Sequence, residues 1–298
     1  MENSKNLSVI VIGATGFLGM EICRQLIAAK RKVKGLVRTS SDLGKVHALQ
    51  QMGVETVTGD MKDVASLSNA FQQVDAVIST ASSTFSRQEG DSIETVDNCG
   101  QLNVVEAAKN ARVKQFIFIS FNAMSQEFPL QAAKRKVENE LMESKMNYTI
   151  LRPTFFMEIW LSPAIGFDFP NAKATIYGEG INKLNWVSLK DVAAFAVASL
   201  DNPLAMNSVF ELGGPDSLSP FEVVKIFEQH TGTKFKVEHV PEDAIRAQKN
   251  AATDSLTESF AALMLAYADG STINMDESLK ACPIELTSIK DYAKQVIP

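Results

Sequence analysis

Two patterns of apolar residues alternate along the first half of the chain. Short apolar runs rich in β-branched residues are followed by longer segments whose apolar residues recur at helical spacing. The runs predict six strands, at 9–12, 33–38, 54–58, 74–81, 114–119 and 148–153. The segments between them predict helices, at 20–28, 43–52, 64–71, 92–111 and 130–144. This alternation predicts an α/β fold in which a doubly wound parallel sheet carries helices on both faces.

A turn with three glycines lies between the first strand and the first helix. Gly13, Gly16 and Gly19 follow the apolar run Val9–Ile12. A strand, a glycine turn and a helix N-terminus together form a site for a dinucleotide pyrophosphate. Gly13 would allow the tight turn, Gly16 the approach of the phosphates, and Gly19 the packing of helix on strand. A purely structural turn is the alternative. The turn residues expected to contact the cofactor are Gly13, Thr15, Gly16, Phe17 and Leu18.

The ends of the next strands add candidate cofactor contacts. Arg38 ends the second strand, where an acidic residue would favour NAD and an arginine accommodates the 2′-phosphate of NADP. We therefore expect NADP, with a solvated arginine at a strand end as the alternative. Asp60 follows the third strand and would either reach the adenine amino group or cap the next helix. Thr80 and Ala81 end the fourth strand, where small residues leave room for the cofactor.

Beyond residue 153 the alternation is less regular. The segment Thr154–Trp160 is bulky and aromatic, which suits a pocket wall and core packing equally. Shorter elements follow, with strands at 174–177, 184–187, 209–212 and 235–240 and helices at 189–200, 219–231, 255–269 and 286–296. We expect residues 1–153 to form a dinucleotide-binding domain, to which 184–212 return. Residues 154–183 and 213–298 would form a smaller substrate-binding subdomain, with a cleft between the two.

Composition excludes several classes of partner. The chain has 298 residues, 45% of them apolar, and a net charge of −6 with no basic footprint for nucleic acid. The three cysteines and three histidines are widely separated, so no metal site is predicted. No apolar run approaches the roughly 18 residues of a membrane span, and no apolar signal region opens the chain. We expect a soluble, cytoplasmic protein that acts on a small molecule and on neither nucleic acid nor membrane.

Several motifs carry a resemblance to a known family. They span residues 7–215 and comprise Gly13–Gly19, Val37–Arg38, Gly59–Asp60, Val74–Ser79, Val113–Ile117, Leu151–Pro153, Trp186–Ser188, Asp191–Val192 and Leu212–Pro215. In these the chain resembles an atypical short-chain dehydrogenase/reductase of the NmrA-like group, which is similar to the isoflavone reductase and triphenylmethane reductase families. The residues after 215 match only in general character. The resemblance implies a Rossmann-type sheet with a smaller C-terminal substrate-binding subdomain.

The resemblance also implies a catalytic position. Members of the wider superfamily carry a tyrosine four residues before a lysine on the helix after the fifth strand. Here Lys134 stands at the lysine position, while Leu130 replaces the tyrosine and cannot transfer a proton. By resemblance to isoflavone reductases, which also lack the tyrosine, Lys134 would bind NADPH and assist proton transfer. The alternative is that Lys134 belongs to a solvated basic run with Arg135 and Lys136.

Further contacts are implied at the ends of the fifth and sixth strands. Ser120 ends the fifth strand, although Asn122 is closer to the position of the superfamily's serine. Pro153, Thr154 and Phe155 fall where relatives cover the nicotinamide, and the proline would fix the turn off the strand. We therefore expect Ser120, Pro153, Thr154 and Phe155 among the cofactor contacts.

The absence of the superfamily's tyrosine limits which substrates we expect. Reduction of a simple carbonyl needs a positioned acid at the oxygen, and Tyr148 and Tyr177 are weak substitutes. We therefore expect an NADPH-dependent reductase that delivers hydride to a small aromatic, quinone or enone substrate. The alternative is a non-catalytic NAD(P) sensor that regulates a protein partner, and an assembly scaffold is a third possibility.

Overall fold

The structure is a computed structural model, and it describes residues 7–85 and 87–297. The first six residues, on which part of the targeting expectation rests, lie outside the described residues. The strands are β1 (Ser8–Ile12), β2 (Lys32–Val37), β3 (Glu55–Thr58), β4 (Ala76–Ser79), β5 (Gln115–Ile119), β6 (Asn147–Pro153), β7 (Phe155–Phe156), β8 (Phe167–Asp168), β9 (Lys173–Tyr177), β10 (Leu184–Val187), β11 (Ser208–Leu212), β12 (Ser217–Leu218) and β13 (Lys236–Val240).

The helices follow the predicted alternation. They are α1 (Phe17–Ala28), α2 (Leu43–Gln51), α3 (Val64–Ala70), α4 (Cys99–Asn110), α5 (Pro129–Glu143), α6 (Met157–Trp160), α7 (Leu189–Ala198), α8 (Pro220–Thr231), α9 (Glu242–Asn250), α10 (Ser255–Asp269), α11 (Asp276–Ala281) and α12 (Ile289–Val296). A π-helical turn, Ile93–Asn98, runs directly into α4. Every element predicted from the sequence is therefore present, with small shifts at its ends.

The main sheet has seven parallel strands in the order β11-β6-β5-β4-β1-β2-β3. Alternate residues of β1 point to opposite faces of the sheet. Val9 and Val11 pack in a core with α1 and α7, whereas Ile10 and Ile12 pack in a second core with α3, α4 and α5. Both faces of the sheet are thus covered, which confirms the Rossmann-type fold.

Two small sheets lie outside the main one. One has the order β12-β10-β7 and the other the order β13-β9-β8. Of the segment 184–212 that we expected to return to the first domain, β11 joins the main sheet, whereas β10 pairs with β7 and β12. The C-terminal elements enclose a core rich in aromatic side chains, including Phe155, Trp186, Phe227 and Tyr267. The division of the chain into two domains stays a prediction.

Helix α10 is bonded to the start of α5. The residue that precedes α5, Phe128, has no side chain able to cap it, so the first backbone N–H groups need other acceptors. The N–H of Leu130 donates to Ser259 Oγ of α10 at 3.1 Å, and this contact is buried. The helix that carries Lys134 is therefore held by the C-terminal segment. No helix among the described residues is long and apolar enough to cross a membrane.

Candidate functional site

A cavity of about 470 Å³ opens where the strands of the main sheet end. Residues that follow the carboxyl ends of β1, β2, β3, β4, β5 and β6 line it, together with residues of α6 and α10. The glycine turn that follows β1 lines it, and β1 pairs with β2 on one side and with β4 on the other. This is the topological switch point of the sheet, where ligands of open α/β folds bind.

The glycine turn is closely packed against its surroundings. Gly13 has φ +83°, and a Cβ there would lie 2.8 Å from Thr80 Oγ1. A Cβ on Gly19 would lie 2.1 Å from the carbonyl oxygen of Gly13, so only glycine fits where α1 crosses β1. Gly16 differs, because a Cβ there would meet only that carbonyl oxygen, at 3.2 Å. Gly16 also precedes α1 without a side-chain cap, so the helix begins with N–H groups available to an anion.

A cluster of charges lies at the end of β2. Arg38 Nη1 donates to Asp91 Oδ2 at 2.7 Å, and Lys62 Nζ donates to Asp91 Oδ1 at 2.7 Å. The Asp91 side chain is 1% exposed. Burial raises the pKa of its carboxyl, but the hydrogen bonds from Lys62 and Arg38 outweigh burial and hold the pKa below its usual value. Two cations thus share one carboxylate beside the cavity, where Lys45 also lines the wall.

Asp60, Thr80 and Ala81 also line the cavity. Asp60 Oδ1 accepts from the backbone N–H of Lys62 at 2.8 Å. Helix α3 is capped by Asp63, so the alternative that Asp60 caps this helix is wrong. Thr80 Oγ1 donates to the carbonyl of Ile12 at 3.2 Å, which joins the ends of β4 and β1.

Ser120 belongs to a buried ionic network at the end of β5. Its hydroxyl accepts from Arg135 Nη1 at 3.1 Å. Arg135 and Arg152 both pair with Glu138, which is 1% exposed. Burial raises the pKa of the Glu138 carboxyl, but hydrogen bonds from Arg152 and Ser120 and the two guanidinium charges outweigh it, so the pKa is lowered. Arg135 also donates to the carbonyl of Phe121 at 2.9 Å, which fixes the cavity wall after β5.

Lys134 is buried, with an exposed fraction of 5%. The alternative that it belongs to a solvated basic run is therefore wrong. Its ammonium donates to the carbonyl of Ile119 at 3.3 Å and lies 5.1 Å from the centroid of the Phe118 ring. Asp97 Oδ1 is 3.7 Å from Nζ. Burial lowers the pKa of Lys134, and the carboxylates of Asp97 and Glu138 oppose this shift only in part.

Thr154 and Phe155 line the cavity after β6, whereas Pro153 does not. The Thr154 hydroxyl donates to the carbonyl of Asn185 at 2.5 Å, which links β6 to β10. Pro153 ends β6 in register with Leu212 of β11. The carbonyl of Pro153 accepts from the backbone N–H of Asn122 at 3.1 Å, so Pro153 contributes its backbone at the strand end.

The far end of the cavity is apolar. Its walls carry Phe85, Met124, Leu130, Phe155, Phe156, Ile159, Trp160, Ile165, Phe260, Leu263 and Met264. Leu130 itself thus lies at the wall, at the position where the wider superfamily has its tyrosine. The described lining contains neither tyrosine nor histidine. Tyr177 is not part of that lining, and its hydroxyl donates to the carbonyl of Ile165 at 3.2 Å.

The cavity therefore brings together thirteen of the fourteen expected residues. They are Gly13, Thr15, Gly16, Phe17, Leu18, Arg38, Asp60, Thr80, Ala81, Ser120, Lys134, Thr154 and Phe155. Sequence reasoning missed Asp91 and Asp97, and it missed the apolar contribution of α10. A signal for Asp97 existed, since it shares a helical face with Val104 and Ala108, where an apolar residue is expected.

Comparisons with known proteins agree with this geometry. The NmrA-like family model matches residues 5–293. The photosystem II assembly factor Ycf39 of Guillardia theta is 31% identical over 239 residues, which are 79% of this chain and 74% of that protein. The NAD(P)H azoreductase of Xenophilus azovorans is 30% identical over 226 residues, 75% of this chain and 74% of that one.

A solved structure has the same fold. The NADPH-dependent quinone oxidoreductase of Escherichia coli, solved with NADPH, superposes with a TM-score of 0.76 at 21% identity. The superposition covers 97% of this chain and 100% of the other. The chain belongs to the NmrA-like family, as its sequence motifs predict, and this family includes NAD(P)H-dependent reductases.

Proposed function

We propose that this protein is an NADPH-dependent reductase that delivers hydride to a flat apolar acceptor of the aromatic, quinone or enone class. The observation that carries the proposal is the continuous cavity, which runs from the glycine turn past Lys134 to an aromatic wall. Its polar end suits a dinucleotide, and its apolar end suits an uncharged ring. Lys134 lies between the two.

The polar end fits NADP. Gly16 leaves space beside the uncapped start of α1, where backbone N–H groups would receive the pyrophosphate. Arg38 and Lys62 lie near the expected 2′-phosphate, and a guanidinium suits bidentate contact with phosphate. The E. coli quinone oxidoreductase binds NADPH in a chain of the same fold.

Lys134 is the residue to which we assign the chemistry. When bound, the reduced nicotinamide supplies the hydride. An ammonium offers three N–H donors, and the carbonyl of Ile119 accepts one of them. The remaining donors would hold the ribose hydroxyls and supply a proton to the reduced acceptor. Since burial lowers the pKa of this ammonium, proton donation is easier than from a solvated lysine.

The apolar end favours acceptors whose reduced form is stabilised by conjugation. No tyrosine or histidine from the described lining stands ready to protonate a carbonyl oxygen. Quinones and enones need less assistance of this kind, because their reduced anions are delocalised. The NAD(P)H azoreductase of X. azovorans is named for a conjugated acceptor, which supports the same class.

The test is a turnover assay with a matched binding measurement. The purified protein is mixed with NADPH and a panel of quinones, enones, azo compounds and simple aldehydes, and loss of the reduced nicotinamide absorbance is followed. We expect steady oxidation with the conjugated acceptors and little with the aldehydes. In parallel, the affinity for NADPH is measured by calorimetry without acceptor.

A second function is favoured by Leu130, which leaves the site without the superfamily's acid. In that case the protein is a non-catalytic NAD(P) sensor with a protein partner. Ycf39 of G. theta, a relative named as an assembly factor, supports it. Tight NADPH binding without turnover across the panel would favour this function over the reductase.

A further inference from the structure

The carboxylate of Asp97 is held inside the protein with one oxygen unused. Asp97 has no exposed surface. Its Oδ2 accepts from the backbone N–H of Ser83 at 3.0 Å and from Ser83 Oγ at 2.6 Å. Its Oδ1 is buried and accepts no hydrogen bond from the described residues. A buried carboxylate in this state is costly unless a cation compensates it.

The compensating cation is Lys134. Asp97 Oδ1 lies 3.7 Å from Lys134 Nζ. The other carboxylate that acts on this ammonium is Glu138, one turn further along α5. Glu138 is already shared by Arg135 and Arg152. Of the two carboxylates, Asp97 is thus the one whose charge is left for Lys134.

The local backbone explains how an acidic side chain reaches this position. Asp97 lies in the π-helical turn Ile93–Asn98, at the entry to α4. The turn is fixed at its start by Ser92, whose hydroxyl accepts from the N–H of Thr95 at 3.0 Å. Wider turns of this kind occur often at functional sites, where they redirect a side chain. Here the turn packs against α5 beside Lys134.

We propose that Asp97 is a positioning residue that holds the Lys134 ammonium at the cavity wall and stabilises its charged form. Its role in turnover rests on the proposed function, whereas the ion pair can be tested without any acceptor. Ser83 fixes Oδ2, so that Oδ1 faces the ammonium. Asp97 itself need not touch the substrate.

The first experiment follows Lys134 directly. Protein labelled with ¹³C at lysine Cε is titrated by NMR, and the Lys134 signal is assigned by its absence from Lys134→Arg. Asp97→Asn, which keeps the acceptor for Ser83, is expected to lower the Lys134 midpoint by at least about one pH unit. Glu94→Gln removes a carboxylate from the same turn, but Glu94 is exposed and bonds Asn98. It should leave the midpoint unchanged.

A second measurement covers the case in which Asp97→Asn does not fold. Lys134→Met leaves Asp97 buried without its cation, so the double variant Asp97→Asn/Lys134→Met should melt at a higher temperature than Lys134→Met alone. Equal melting temperatures would overturn the pairing. So would a Lys134 midpoint that Asp97→Asn and Glu94→Gln shift equally.

The pH profile separates this proposal from the proposed function. If the protein reduces an acceptor, its kcat should fall with rising pH. In Asp97→Asn this fall should occur at lower pH than in the unchanged protein, whereas in Asp97→Glu it should occur at the original pH. If no acceptor is reduced but the NMR midpoint moves, the reductase function fails and the pairing stands. Turnover with a pH profile that Asp97→Asn leaves unmoved would overturn the positioning role.

Discussion

The two ends of the cavity are built in different ways. At the end where we propose that the cofactor binds, the lining comes from residues that directly follow strands, such as Gly13, Arg38 and Thr80, and α1 begins there without a side-chain cap. At the far end the wall comes from segments distant in the chain, such as α6 with Trp160 and α10 with Phe260. Local backbone geometry thus determines the first end, and long-range packing determines the second. Variants at the cofactor end should accordingly change the affinity for NADPH, and variants at the far end should change the KM for the acceptor.

The largest effect is expected between the two ends, at Lys134. Lys134→Met removes the proposed proton donor and should lower kcat about 100-fold or more, while the acceptor KM changes far less. Steady-state kinetics against a quinone measure both. Lys136→Met is the matched control, because Lys136 is on the same helix and exposed. Equal kcat values for the two variants would remove Lys134 from the chemistry.

Arg38→Ala should act on the cofactor end alone. Loss of charge-assisted contacts to the 2′-phosphate should weaken NADPH about 10- to 100-fold and leave NADH nearly unaffected. Asp91 keeps Lys62 as a partner, so the fold should persist. Calorimetric affinities for both cofactors give the ratio, with Arg24→Ala as the control, because Arg24 pairs with Glu21 on α1. An unchanged ratio would refute the preference for NADP.

Two glycines of the turn should differ in effect, one on NADPH binding and the other on the stability of the fold. Gly16→Ala should weaken NADPH about tenfold with little change in melting temperature, because its Cβ meets only one atom, at 3.2 Å. Gly19→Ala should lower the free energy of unfolding by about 1–3 kcal/mol, because its Cβ would lie 2.1 Å from the Gly13 oxygen. Calorimetric binding and thermal melts measure the two effects. If Gly16→Ala lowered the melting temperature and Gly19→Ala weakened NADPH binding instead, the expected path of the pyrophosphate would be contradicted.

Phe260→Ala should give the smallest effect, at the far end. Phe260 lines the cavity and contacts Phe85 edge-to-face at a centroid distance of 6.4 Å. Its loss should raise the acceptor KM about fivefold and leave NADPH affinity unchanged. Phe169→Ala, in the neighbouring aromatic core but outside the cavity lining, controls for general loss of packing. A change in NADPH affinity would show that the two ends are not independent.

Much of the fold follows from sequence periodicity. The central strands β1, β4 and β5 are nearly all apolar because both faces of the sheet are buried there, so their positions are visible in the sequence. Helix α9 was missed because Ile245 is its one buried residue, too few for a stripe. The π-helical turn at Ile93–Asn98 was included in a continuous helix, since one extra residue in a turn leaves the apolar pattern almost intact.

The candidate site could be predicted at its cofactor end and, through the aromatic segment Thr154–Trp160, in part at its far end. Gly13, Arg38 and Lys134 are identifiable because motifs or strand ends locate them. The pairing of Asp97 with Lys134 joins residues 37 positions apart, and the contribution of Phe260 depends on where α10 docks. Neither the spacing nor the composition of the chain contains that information.

The hydrogen bond from the Leu130 N–H to Ser259 Oγ has a consequence for how the protein unfolds. Release of α10 from the body of the protein would remove this acceptor and expose the first turn of α5 to water. Melting of the C-terminal segment is therefore expected to weaken the start of α5 as well. In native-state hydrogen exchange, the amides at the start of α5 should therefore lose protection together with those of α10.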